Sequence, residues 1–376
     1  MGKTLISFLL VALSWVVASA QSGRFDLEIR LHNMRPDYVL NIGLMTSDKT
    51  WSDKVSIKRI DSINYEVSGW LPYPLAARIE IKGRKASRYF YITKGKQFID
   101  VQYDSLHLPL SIKGSLVNEE LLTKFIGFMM PVKVADDNWW EEYSALKKRM
   151  GDVLPQGTED SIRKRKAEID NLRDSLLLQY CRLNPGSYVA FWKLYDYFRY
   201  YGYSVLYEES LNKLNSEIQN GLDGRFLRNK LIACKALSAG SVFPDFVLTD
   251  TLRNTVHIST DIRKARFTLI DFWYSHCTPC IAQFQDFANI YEEYEDKGFD
   301  IIGVSTDLAA EENEWRKVIF RHKIPWKSYW TKDGAYAKEY FIEAFPTNFL
   351  VDQVGRILYR DISIPELKIF LSKNLQ

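Results

Sequence analysis

Cysteine is scarce in this chain: Cys181, Cys234, Cys277 and Cys280 are the only four among 376 residues. A scaffold stapled by disulfides carries many more in a shorter chain, so that class is excluded. The Cys277–Cys280 pair has no second CxxC and no HxxxH to accompany it, and only His257 and His276 lie near it in sequence. The ligand set of a zinc site is therefore missing, and no metal or other cofactor is expected. Basic blocks are absent too, with a net charge of only +3, so nothing marks a nucleic-acid partner. The run RKRK at 163–166 is flanked by acids on a helical pattern and reads as a solvated face. Beyond the N-terminus no apolar run is long enough to span a membrane. What remains is ordinary: 46% hydrophobic and 26% charged residues, as in a folded globular protein longer than one domain.

The N-terminus stands apart. MGKTLISFLLVALSWVVASA places Lys3 before an apolar run from Leu5 to Val17, then Ala18-Ser19-Ala20. A positive start, a short apolar centre and small residues before the cut are the features of a secretory signal peptide over residues 1–20. An uncleaved anchor is the alternative. Gln21, not Cys, follows the cut, so lipid attachment is not indicated. The expectation is an exported protein of the periplasm or cell envelope, with no stable membrane insertion after cleavage.

Three regions follow. Over 21–116, short alternating runs such as FDLEIRLHN, YVLNIGLMT and ARIEIKG are broken by Asp, Asn, Gly and Pro, which predicts an antiparallel β-sandwich. His32 and His107 are isolated there and read as surface or packing residues. Over 117–238 the apolar period becomes helical, and Cys181 and Cys234 read as buried thiols, with a disulfide between them as the alternative. Over 239–376, RFTLIDFWY and FDIIGVSTD read as buried strands, each followed by a helix. PTNFLVD and GRILYRDI then pair around Gly355, and a helix closes the chain. Strand–helix–strand order followed by a hairpin implies an α/β domain, a mixed sheet covered by helices.

Cys277 and Cys280 sit where the first buried strand hands over to a helix. Unpaired N–H groups and the helix dipole at that point favour a thiolate on Cys277. Cys280, one turn in and less exposed, is placed to close a disulfide, and Pro279 falls in the first turn, where a missing N–H costs little. A structural disulfide closing so short a loop contributes little stability, so redox chemistry is the stronger reading. Asp271 interrupts the apolar run FTLIDFW. An acid buried there has a raised pKa and is a candidate for proton exchange; the plain alternative is a hydrogen-bonded Asp at a strand end.

FPDFVLTD, LIDFWYSHCTPC, GFDIIGVSTD and FPTNFLVDQVGRI, in this order and spacing, resemble the TlpA/ResA-like thiol–disulfide oxidoreductases of the thioredoxin superfamily. The resemblance covers about 240–376, and GSLVNEELLTKF carries a weaker likeness to the N-terminal β domain of such proteins in Bacteroidetes. It implies a thioredoxin-like fold, with Cys277 as nucleophile and Cys280 as resolving cysteine. Pro346 matches a cis-proline facing the pair, and the backbone about Phe345, Pro346 and Thr347 would bind an extended substrate segment. Two positions depart from the pattern. Gln283 stands where the family commonly has Glu and cannot titrate, which leaves Asp271 as proton carrier. His276 stands where Trp is usual, either adjusting thiolate stability and substrate contact or simply facing solvent. Trp273 of the family's FW reads as packing.

The implied activity is disulfide exchange with protein disulfide or dithiol substrates, fed by an envelope electron donor or acceptor. Reduction, including that of apocytochrome c cysteines, is the family's usual direction. A thiol peroxidase would need an activating Thr or Ser and a Pro before the cysteine, which FWYSHC does not supply. A non-catalytic binding module with a redox-regulated contact is the third class.

Overall fold

A computed structural model describes residues 22–151 and 154–375. The expected signal peptide lies outside these residues. The chain divides into two compact units, one running to Arg228 and the second from Asn229 to the C-terminal end.

The first unit opens with two sheets. Strand β1 (Gly23–His32) buries Phe25, Leu27, Ile29 and Leu31 on one face, the period-two pattern of a half-buried strand. It lies between β4 (Asn64–Leu71) and β8 (Gly95–Gln102), with β3 (Ser56–Arg59) and β9 (Ile112–Lys113) at the edges. The second sheet joins β2 (Leu40–Met45), β5 (Leu75–Ile81), β6 (Lys85–Ala86) and β7 (Phe90–Ile92). One pairing departs from the antiparallel expectation: β1 and β8 run parallel, Ile29 opposite Ile99. Non-local pairing of this kind leaves no trace in alternation, which reads the same for either direction.

GSLVNEELLTKF is where strands give way to helices. Gly114 has φ +84°, and a Cβ there would lie 2.3 Å from the Lys96 carbonyl oxygen, so glycine is required. Ser115 caps α1 (Leu116–Glu120), which continues through a π-helical turn, Leu121–Phe125. Asn118 is fully buried and completes the free edge of β7 as a neighbouring strand would. Its Oδ1 accepts from the Tyr91 N–H at 2.9 Å, and its Nδ2 donates to the Tyr91 carbonyl at 2.6 Å. Beyond lie α2 (Met130–Met150), α3 (Gln156–Leu183), α4 (Tyr188–Tyr201), α5 (Val205–Lys213) and α6 (Ser216–Asn220), then α7 (Leu222–Ala236). Arg163, Arg165 and Lys166 pair with Glu159, Glu142 and Asp136, as a solvated basic face would.

The second unit is built on a seven-stranded mixed sheet in the order β11-β10-β14-β13-β12-β15-β16. The strands are β10 (Val247–Thr249), β11 (Thr255–His257), β12 (Phe267–Trp273), β13 (Phe299–Ser305), β14 (Lys327–Trp330), β15 (Thr347–Asp352) and β16 (Ile357–Arg360). Central β12 is parallel to β13 and antiparallel to β15. Its side chains alternate between two cores: Leu269 and Trp273 enter one with both cysteines of the CxxC, Ile270 and Phe272 the other. Burial on both faces explains why the strand is apolar without alternation. The helices α9 (Thr278–Tyr294), α10 (Glu312–Arg321) and α12 (Ile364–Asn374) cover the first face; α8 (Ile258–Ile262) and α11 (Ala335–Glu339) cover the second. Two elements differ from expectation. NTVHIST leaves strand conformation after His257, because the Asp245 carboxylate accepts the Ser259 N–H at 3.0 Å and helix α8 begins. The short strand β14, KSYW, is held by its buried tyrosine and tryptophan rather than by any long apolar run.

Asn118→Ala strands two buried backbone groups of Tyr91 and should cost about 2–4 kcal/mol. Urea unfolding read by far-ultraviolet circular dichroism checks this; an unchanged midpoint would contradict the edge-completing role.

Candidate active site

Every residue of β12 after Phe267 is buried, and the strand ends where helix α9 must start. Cys277 is the N-cap of α9: its Sγ accepts the Cys280 N–H at 3.2 Å, and its carbonyl accepts the Ile281 N–H at 3.0 Å. A sulfur thus stands among the first unpaired N–H groups of a 17-residue helix, where the dipole favours negative charge. Pro279 occupies the first turn. Cys277 and Cys280 form a disulfide with Cα atoms 5.3 Å apart. The expected contrast in exposure is missing in this state: Cys277 is 2% exposed and Cys280 1%. Both cysteines are buried, and His276, Thr278 and Pro279 supply the exposed surface.

Asp271 shares a strand face with Leu269 and Trp273, so it points toward the core that holds both cysteines. It is opposite Gly303 on β13 and Asn348 on β15. At Gly303 a Cβ would come within 3.0 Å of the Trp273 indole nitrogen, so the ring lies close over that strand. Asp271 Oδ1 is buried without a hydrogen-bond partner, and burial alone lifts the carboxyl to about 8. Gln283, one turn beyond Cys280, also has a buried oxygen, Oε1, with no donor.

The Phe345–Pro346 peptide is cis, and the Phe345 ring meets Tyr274 edge-on with centroids 5.5 Å apart. That contact brings the proline loop against the cysteine loop. Thr347 is buried at the start of β15, its hydroxyl donating to the Ala344 carbonyl at 2.9 Å. His276 points outward, its side chain 61% exposed and its Nε2 3.7 Å from Glu311 Oε1. The other two cysteines, Cys181 and Cys234, are free and buried, and burial pushes the Cys181 thiol up to about 12. Among the described residues no cluster of His, Cys, Asp or Glu is arranged to hold a metal ion.

One residue escaped the sequence reading. Asp307, 1% exposed, follows β13. Its Oδ1 and Oδ2 accept the Ser275 N–H at 3.0 and 3.1 Å, Oδ1 also accepts the Ser275 hydroxyl at 2.6 Å, and Oδ2 accepts the Ser305 hydroxyl at 2.7 Å. Its carbonyl accepts the Trp330 indole N–H at 2.8 Å. The only sequence signal was an acid closing GVSTD at the end of a buried strand, next to the strand that carries the cysteines.

A model of the Redoxin family matches residues 238–367. The chain is 25% identical over 125 residues to the thiol-disulfide oxidoreductase ResA of Bacillus thuringiensis, covering 32% of this chain and 68% of that one. It is 30% identical over 140 residues to a putative chloroplastic peroxiredoxin Q of Oryza sativa, covering 35% and 62%. Among solved structures, the thioredoxin domain of a thiol-disulfide oxidoreductase from Bacteroides vulgatus is 30% identical, covering 37% of this chain and 99% of that one, with a TM-score of 0.34.

The buried acid gives a pH signature. Between the ordinary carboxyl value of 3.8 and about 8, the folded chain keeps a proton on Asp271 that the unfolded chain releases, so stability falls as pH rises through that window. Asp271→Ala should stabilise the C-terminal unit by roughly 2–4 kcal/mol near neutral pH, with the gain vanishing near about pH 4. Unfolding of both proteins across this range checks it; a gain independent of pH would contradict a retained proton.

Proposed function

We propose that this chain, which belongs through its C-terminal domain to the TlpA/ResA-like thiol–disulfide oxidoreductases of the thioredoxin superfamily, reduces protein disulfides outside the cytoplasm. The observation that carries this reading is the cysteine pair itself, with Cys277 capping α9 in a disulfide with Cys280.

In the reduced enzyme the Cys277 thiolate attacks one sulfur of a substrate disulfide. The other substrate sulfur leaves and takes up a proton, and Cys277 is joined to the substrate in a mixed disulfide. Asp271, in the carboxylate form that is the minority one near neutral pH, takes the proton of Cys280. Cys280 attacks Cys277, the second substrate thiol departs, and the pair is left as the disulfide. Two electrons and two protons have passed to the substrate. A dithiol donor in the same compartment restores the pair by the reverse steps. Gln283 has no proton to give, so Asp271 carries the transfer. The backbone about Phe345, Pro346 and Thr347 receives the extended substrate segment beside the pair, with His276 at its exposed rim.

Two features support the direction and the setting. No Lys or Arg occurs in residues 267–296, so the cysteine thiolate has the helix N-terminus for stabilisation and no nearby cation in its own strand and helix. A couple whose thiolate is weakly stabilised gives up electrons readily. The signal-like residues 1–20 support export, and no described helix is long and apolar enough to cross a membrane.

Insulin reduction with a dithiol donor tests the reading. Cys277→Ser should abolish turnover, and Cys280→Ser should accumulate mixed disulfides with envelope proteins that mass spectrometry identifies. Asp271→Ala should slow resolution of the mixed disulfide by roughly 10²-fold near neutral pH. Turnover surviving Cys277→Ser, or an empty trap, would overturn the proposal. Fast Cys277-dependent consumption of hydrogen peroxide with no insulin reduction would turn it toward a peroxidase.

A further inference from the structure

We propose that Asp307 is a positioning residue for the cysteine pair: its buried carboxylate fixes the loop that presents Cys277, and its charge opposes thiolate formation there, poising the pair to donate electrons. The inference rests on the oxidoreductase reading above and adds a residue that sets its direction.

The geometry is that of a clamp. Residues 274–277 must turn sharply from β12 into α9, and the Cys277 N–H closes that turn on the Tyr274 carbonyl at 3.0 Å. Ser275, in the middle of the turn, gives both its N–H and its hydroxyl to Asp307. Asp307 is fixed in its turn by the Ser305 hydroxyl at one side and by the Trp330 indole at its carbonyl. Both carboxyl oxygens accept and neither donates, the pattern of an ionised carboxylate. The three donors are neutral, and among the described residues no ion pair is recorded at Asp307, so the negative charge rests on Ser275, two residues before Cys277 in the chain.

Among the described groups recorded about the Cys277 loop, His276 is the one able to carry positive charge, and it faces Glu311. Its own strand and helix contribute Asp271 and no Lys or Arg. The segment after β13 contributes Glu311, beside His276 at 3.7 Å, and Asp333 binds the Ala309 N–H at 2.8 Å. In the proline loop Glu343 pairs with Lys230. Against these the α9 N-terminus, and His276 when protonated, favour the thiolate. In the donating step the pair loses two electrons and two protons to a substrate disulfide, and a charge that disfavours thiolate on the reduced side favours that loss.

A charge effect has a signature that a loosened loop lacks. It acts on the thiolate only, so it appears above the pH at which Cys277 ionises and disappears below it. The experiment equilibrates full-length protein with dithiothreitol buffers from acid to alkaline pH, comparing wild type with Asp307→Asn and Ser275→Ala. Asp307→Asn should match wild type at the acid end and become up to tenfold easier to reduce at the alkaline end, about 30 mV for this two-electron couple. Ser275→Ala keeps the charge and should show no such gain. An offset equal at every pH, no difference, or the same gain in Ser275→Ala would overturn the proposal. Should Asp307→Asn fail to fold, thiolate absorbance of reduced wild type decides. Cys277 should ionise no lower than an ordinary cysteine, about 8.5, and a lower midpoint would overturn it. A pair that never exchanges with the buffer sinks the oxidoreductase reading itself; one that exchanges with the wrong pH dependence sinks only the role of Asp307.

Discussion

The C-terminal unit depends on how a strand buried on both faces leaves the core. β12 has no solvent-facing side on which to place polar groups, so its end must pass directly into an element that satisfies the backbone. Helix α9 begins within a few residues, and the orphan N–H groups of its first turn meet a sulfur. The same constraint that makes the strand apolar thus puts Cys277 at a helix N-terminus, with Cys280 one turn behind. Redox chemistry here is a property of the junction, and the cysteines alone would not supply it.

Two buried acids flank that junction and behave differently because their surroundings differ. Asp271 lies in the strand with one oxygen unpartnered, and its burial favours the protonated form. Asp307 is as deeply buried but is met by an amide and two hydroxyls, which suit an acceptor at both oxygens. On the proposed reading, one is fitted to hold and return a proton, the other to hold a fixed charge and a loop. Burial without donors and burial with donors put one residue type in two different electrostatic states.

Much of this was legible in the sequence. The unalternating run before the CxxC announced a doubly buried strand, and Asp271 stood out because it broke that run. The cis-proline loop was legible through its FPTNFLVD context. Three features were not. The parallel pairing of β1 with β8 is invisible to alternation, which carries no strand direction. β14 is four residues long and owes its place to the sheet around it rather than to its own pattern. Asp307 reads in sequence as an ordinary acid after a strand, since its partner Ser275 lies 32 residues away and only the fold brings them together. Local patterns announce elements, whereas contacts between elements wait for the packing.

The central claim is that Cys277 and Cys280 form one reversible dithiol–disulfide couple, and the most direct measurement is a redox titration of the full chain with alkylation and peptide mass spectrometry. The account predicts a single reversible two-electron transition in which Cys277 and Cys280 become labelled together, while buried Cys181 and Cys234 stay unlabelled in the folded protein. Independent labelling of the two cysteines, or a transition that engages Cys181 or Cys234 in their place, would contradict it.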